Sequence, residues 1–187
     1  KDLSPYFHKV RLGSLSAGPY GQIYLYANLE EGEQMNVTGW LIRGREGGQY
    51  VPQAVGLYDP SGLSPEGDVY LRSGYSITMY YNASAVGKNL RLNKCIGFLQ
   101  NASQFTPGLP QNCPYVDRSD IQHLSGECQN YVQSLGSCRL PDPNPPIPLN
   151  DYECQLYLDS INYRSCFERH RNDPDFLGSE WWTWIGS

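Results

Sequence analysis

Apolar and polar positions alternate through the first half of the chain. Val10 and Leu12, Ile23 and Leu25, Val37 and Leu41, Val69 and Leu71, Ile77, Met79 and Tyr81, and Leu90 with Leu92 recur at even intervals, the period of strands that bury one face. Turn formers punctuate these runs at Ala17-Gly18-Pro19, Glu31-Gly32, Gly47-Gly48, Asp59-Pro60-Ser61-Gly62, Pro65-Glu66-Gly67-Asp68 and Ser73-Gly74. Short strands at roughly ten-residue spacing predict an antiparallel β-sandwich, each strand with one face to bury and one to wet.

The period changes in the second half. Cys128, Tyr131, Val132 and Leu135 follow helical spacing behind Ser125, a residue type that caps helices, so a short helix is predicted over 126–136 and closed by Gly136. Asn150 or Asp151 is placed to cap a second helix holding Cys154, Tyr157, Leu158 and Ile161, and a third is predicted around Tyr163 to Arg169. Between them Pro141 to Pro148 holds five prolines and excludes helix. Helices this short need tertiary support.

The support is predicted to be covalent. Six cysteines, Cys95, Cys113, Cys128, Cys138, Cys154 and Cys166, stand 18, 15, 10, 16 and 12 residues apart. No C-x-x-C pair is present, which argues against structural zinc and thioredoxin-like redox chemistry. An even count at wide spacing reads as three disulfides made in an oxidising compartment, with the connectivity left open. Asn36, Asn82 and Asn101 each open an N-x-S/T sequon, a glycan acceptor in a secreted eukaryotic protein.

Charge sharpens the division. Of 187 residues, 1–116 carry nine Lys and Arg against eight Asp and Glu, whereas 117–187 carry five against eleven, so a net charge of -5 is local to the second part. The chain is thus expected to hold a β-sandwich over 1–116 and a cysteine-rich, disulfide-braced helical extension over 117–187. An acidic balance leaves phosphate neutralisation without its cations, which excludes nucleic acid as the expected partner. No apolar run approaches the roughly 18–20 residues of a membrane span. A start at Lys1 reads as a removed leader or anchor, or as a segment of a longer precursor.

The run Asn36-Val37-Thr38-Gly39-Trp40-Leu41-Ile42, preceded by Ile23-Tyr24-Leu25-Tyr26-Ala27-Asn28, resembles the E-Y-I-x-L-x-N and L-S-G-W-x-L signature of the lamin-tail domain. Val51-Pro52, the turn-rich Gly56 to Val69 and the strand Ser76 to Tyr81 look like that family's later strands. Ser84 to Leu99, then Leu109 to Pro114, Cys128 to Cys138, Tyr163 to Phe167, His170 to Phe176 and Trp181, look like a bacterial subgroup with a cysteine-rich insert. The resemblance implies an immunoglobulin-like β-sandwich of about a hundred residues and an extracellular or envelope module without catalytic residues of its own. One departure stands out: the family's closing hairpin is missing, so either Glu180 to Ile185 supplies the last strand, another chain adds one, or the chain is truncated.

Candidate chemistry is sparse. Trp40, after the permissive Gly39, is expected to anchor the core. His8, His123 and His170 fit no hydrolase or metalloprotease spacing, and Cys166 with His170 would share a helix face as a nucleophile pair only if Cys166 were reduced. Asp173, Asp175, Asp151, Glu153 and Glu180 are the carboxylates a Ca2+ ion would need, but no EF-hand loop frames them. Trp181, Trp182 and Trp184 are expected to pack on the sandwich, meet a protein partner or stack on glycans. The sequence therefore reads as a non-enzymatic extracellular or cell-surface structural or adhesive protein of a bacterium, with self-association into a surface assembly or filament as one form of that work. The rivals are a carbohydrate-binding module and an accessory domain of a larger secreted enzyme.

Overall fold

The computed structural model describes residues 5–45 and 47–186. The chain divides into two compact units, Lys1–Leu92 with Leu177–Ser187, and Asn93–Phe176. The predicted single boundary at 116/117 is replaced by two, because the chain leaves the first unit after Leu92 and returns to it at Leu177. A boundary at 116/117 would also have cut two disulfides, Cys95–Cys166 and Cys113–Cys138, whereas the second unit encloses all three, the third being Cys128–Cys154.

The first unit is β-rich. Strands β1 (Val10–Ser16), β2 (Gln22–Ala27), β3 (Gln34–Asn36), β4 (Leu41–Arg43), β5 (Gly48–Tyr50), β6 (Tyr70–Arg72), β7 (Ser76–Tyr80), β8 (Leu90–Asn93) and β9 (Leu177–Trp184) form a five-stranded sheet in the order β1-β2-β7-β9-β8, with β3-β6 and β4-β5 ribbons. Register explains which residues are buried. Ile23, Leu25 and Ala27 of β2 share a face with Ile77 and Met79 of β7 and Trp181 of β9, and that face packs on Met35, Val37, Val69 and Leu71 from the β3-β6 ribbon and on Val51 and Ala54. The period-two pattern of the sequence is this face.

Two expectations are corrected. The sheet is mixed, not antiparallel throughout, because β9 pairs parallel with β7; the crossover that parallel strands require is here the whole second unit. Second, Val37 and Leu41 do not share a strand. Gly39, at φ 78°, makes a turn between β3 and β4 that an L side chain would strain, and Trp40 follows it outside any strand. Trp40 is half-buried against the edge of the core, and the tryptophan buried within that core is Trp181, on β9.

The second unit is helical and cross-linked. Its helices are α1 (Ile96–Ser103), α2 (Arg118–Ile121), α3 (Gly126–Ser134), α4 (Tyr152–Asp159) and α5 (Tyr163–His170). Each of the last four has a side-chain N-cap: Asp117, Ser125, Asp151 and Asn162 accept from the backbone N–H of Ser119, Cys128, Cys154 and Ser165. Ile121, Leu124, Cys128, Tyr131, Val132, Cys154 and Leu158 form its core, so the Cys128–Cys154 bridge runs through the apolar centre and joins α3 to α4.

Candidate interaction surface

Strand β1 is one edge of the five-stranded sheet. Bonds from Ala27 N–H to the Tyr75 carbonyl (2.9 Å) and from Tyr81 N–H to the Gly21 carbonyl (3.1 Å) fix the alternation along β2: Ile23 and Leu25 face β7, while Gln22, Tyr24 and Tyr26 face β1. Their partners on β1 are Ser16, Ser14 and Arg11. The backbone of Val10, Leu12 and Leu15 therefore points away from the sheet. Leu12 and Leu15 are also 54% and 63% exposed, aliphatic side chains beside open backbone groups.

The opposite edge is closed. Val55 N–H donates to the Asn89 carbonyl (2.8 Å) and Arg91 N–H donates to the Val55 carbonyl (2.9 Å), so a short chain segment pairs with β8 and Leu90, Leu92 and Asn93 are buried. Edges are commonly blunted by Lys, Pro or bulges. β1 has neither Lys nor Pro and carries one bulge, between Leu12 and Ser14. Gly13, at the bulge, has a structural reason: a Cβ there would lie 2.5 Å from the ring of Tyr24.

The sheet face opposite the core is aromatic. Tyr24 and Tyr26 stack with centroids 6.1 Å apart, and Tyr80 lies 4.9 Å from Trp182 and 6.2 Å from Trp184. Burial, reinforced by the Glu180 carboxylate, pushes the Tyr80 phenol up to about 12, so it stays protonated as a neutral donor across neutral pH. The three C-terminal tryptophans do not act as a set. Trp181 is 5% and Trp184 7% exposed, one on each face of the sheet, and only Trp182 is half-exposed, its indole N–H donating to Glu180 (3.2 Å). Trp181 lies under the Arg91 guanidinium, 5.5 Å from its ring.

The remaining predicted site residues are dispersed. Cys166 is bonded to Cys95, which removes it as a nucleophile, while His170 Nδ1 meets Asp173 at 2.9 Å. Lys94 bridges Asp173 (3.1 Å) and Asp175 (2.9 Å). Hydrogen bonds donated by His170 and then Lys94 hold the Asp173 carboxyl below its ordinary value of 3.8, and the bonds that Lys94 donates to Asp175 and Asp173 raise its own pKa. Asp151 caps α4 and accepts from Ser125. Among the described residues no cluster of three or more His, Cys, Asp or Glu is arranged to hold a metal ion, and no helix is long and apolar enough to cross a membrane. Of the sequons, Asn36 is exposed with its amide on Asp68 (2.8 Å), Asn82 is half-buried, and Asn101 lies in α1 with its amide donating to Gln111 and the Cys138 carbonyl.

What this arrangement offers chemically is hydrogen bonding by a strand edge and apolar contact, within a protein whose three disulfides belong to an oxidising, extracellular-type environment. Sequence reasoning missed the open edge, because exposure of Leu12 and Leu15 follows from which strands neighbour β1. In comparisons with protein-family models, with curated proteins and with solved structures, nothing matches the chain.

Proposed function

We propose that the chain is a non-enzymatic structural or adhesive module of a bacterial cell surface, built on a lamin-tail-type immunoglobulin-like sandwich and working by self-association. The observation that carries this reading is the asymmetry of the sheet: β8 is covered by Val55, while among the described residues nothing pairs with the outward backbone of Val10, Leu12 and Leu15, beside two exposed leucines. A second copy adding its β1 would pair both sets of backbone groups and cover all four leucines. Because, among the described residues, β1 is the one open edge of the five-stranded sheet, pairing through that edge closes at two copies related by a dyad. Larger assemblies then need a second contact, for which the half-exposed Tyr24, Tyr26 and Trp182 face is available. Support for the sandwich reading is the core shared by the five-stranded sheet and the β3-β6 ribbon.

Sedimentation velocity across a concentration series tests the proposal. The disulfide-intact chain is expected to show a concentration-dependent shift toward a dimer, and Leu12→Lys with Leu15→Lys, both exposed and so tolerant of the change, to stay monomeric. A wild-type chain that sediments as one monomer at every concentration would overturn it.

A further inference from the structure

Two features of the helical unit, Asn93–Phe176, leave apolar surface uncovered and carry opposite charge. The first is a groove of about 430 Å³ lined by the segment 114–116, by α3 and by the turn 136–139, a volume in the range that takes organic groups. Ile121 and Val132, 1% and 3% exposed, lie at its floor, and the exposed Arg118 and Arg139 lie at its rim. The Cys113–Cys138 bridge joins the residue before 114 to the turn, so these two parts of the lining are covalently held together. Arg139 runs beside Gly136, where a Cβ would lie 3.5 Å from its Cδ and 3.7 Å from its Nε.

Charge sets this groove apart from the rest of the unit. The unit holds six Lys and Arg against ten Asp and Glu, yet the lining has two guanidiniums and no carboxylate. Lys94 is paired with Asp173 and Asp175, whereas among the described residues neither Arg118 nor Arg139 has a side-chain partner. A smaller depression that shares Tyr115 and Val116 adds Asp120 and Arg169, one of each sign.

The second feature is the outer face of α4. Tyr152 and Leu156 stand one turn apart, 70% and 71% exposed, and Leu149, just before the helix, is 90% exposed. The Leu149 carbonyl accepts from Gln155 Nε2 (2.9 Å), which holds it to α4. Glu153 and Asp159 are exposed three residues either side of Leu156, on the same face. No Lys, Arg or His occurs from 140 to 163, so this ridge is purely acidic. Three large apolar side chains uncovered around one short helix mark a contact surface.

We propose that the groove of one copy takes the α4 ridge of a second copy, with Tyr152 and Leu156 on its apolar floor and Glu153 and Asp159 toward Arg118 and Arg139. The proposal deepens the self-association reading, on which it rests, by placing the second contact on this unit and not on the aromatic sheet face. A contact between two different surfaces is heterologous and can link β1-paired dimers into larger assemblies. One helix face in one groove is a small interface and weak between single copies, so the Leu12→Lys, Leu15→Lys chain stays monomeric at the dilution used for sedimentation.

The test uses that disulfide-intact Leu12→Lys, Leu15→Lys chain, which lacks the β1 contact, in an NMR concentration series reaching the millimolar range. The Nε–H groups of Arg118 and Arg139 and the methyl groups of Leu149 and Leu156 should shift together along one binding curve, and less at high salt. Adding Arg118→Glu with Arg139→Glu, or Glu153→Lys with Leu156→Lys, should abolish the shifts in each chain alone; all four residues are exposed, so the fold is kept. Mixing the two altered chains should restore them, because one supplies an intact ridge and the other an intact groove. No shift in the millimolar range, shifts confined to one of the two surfaces, or no recovery on mixing would overturn the proposal. Wild-type dimerisation without these shifts would sink the groove contact alone, and these shifts without wild-type dimerisation would sink the β1 reading alone.

Discussion

Reduction of the three disulfides is expected to unfold one unit and leave the other. All six cysteines lie within Asn93–Phe176, an 84-residue unit. The bridges Cys113–Cys138 and Cys128–Cys154 close loops of 25 and 26 residues, each contributing about 3.5 kcal/mol by restricting the unfolded chain. Cys95–Cys166 spans 71 residues, but with the others intact its covalent path runs Cys95 to Cys113, Cys138 back to Cys128, and Cys154 to Cys166. That path is roughly 40 residues, which makes this bridge worth about 3.9 kcal/mol. The three together supply on the order of 11 kcal/mol, while a unit of this size has roughly 4–13 kcal/mol of stability in total. The helices are eight or nine residues long apart from the single turn of α2, too short to persist alone. Treatment with a phosphine reductant should abolish the helical circular dichroism signal, while amides of β2 and β7 such as Leu25 and Ile77 remain protected from hydrogen exchange. Helical signal that survives full reduction, or loss of both units in one transition, would refute the reasoning.

Two further outcomes follow from named contacts. Asp173 has its folded-state pKa lowered by His170 and Lys94, so these contacts stabilise the fold above about pH 4 and are lost as pH falls through the depressed value; carbon-detected NMR titration should place its midpoint below 3.8, and Lys94→Met should move it upward. Gly97 sits in α1 against the Cys113–Cys138 bridge, where a Cβ would come within 3.0 Å of Cys113 Sγ. Despite the better helix propensity of alanine, Gly97→Ala should cost about 1–3 kcal/mol by overpacking, read by chemical denaturation, and a neutral or stabilising result would show that the bridge yields easily.

Much of the β unit was legible because apolar residues alternate along β2 and β7, even though β7 is buried on both faces. Ile23, Leu25, Ile77 and Met79 all face one core, and their period is visible without any partner strand. Helices α3 and α4 were equally plain, since their caps Ser125 and Asp151 act on N–H groups only three residues away; the cap of α5, Asn162, works over the same span but was not read. What escaped was non-local. Parallel pairing of β9 with β7 is set by an 84-residue excursion that no local pattern encodes. Helix α1 was hidden because Gly97 and Asn101 are weak helix formers, and only the tertiary contacts of Ile96 and Leu99 reveal its buried side. Trp40 looked like the core anchor because it follows Gly39 in an apolar run, yet the turn at Gly39 moves it to the rim. The open edge is not visible in sequence either, because it depends on which strands neighbour β1 in space.

The claim that β1 is the contact between copies is tested most directly at its own backbone. Hydrogen exchange of the Leu12 and Leu15 amides, resolved by NMR or fragment mass spectrometry, should be fast in the dilute chain, since both N–H groups point away from β2. It should slow as concentration rises, while the inward amides of Arg11 and Ser14 change far less. Exchange at Leu12 and Leu15 that stays fast at every concentration, in a sample that nonetheless associates, would contradict the account and place the contact elsewhere.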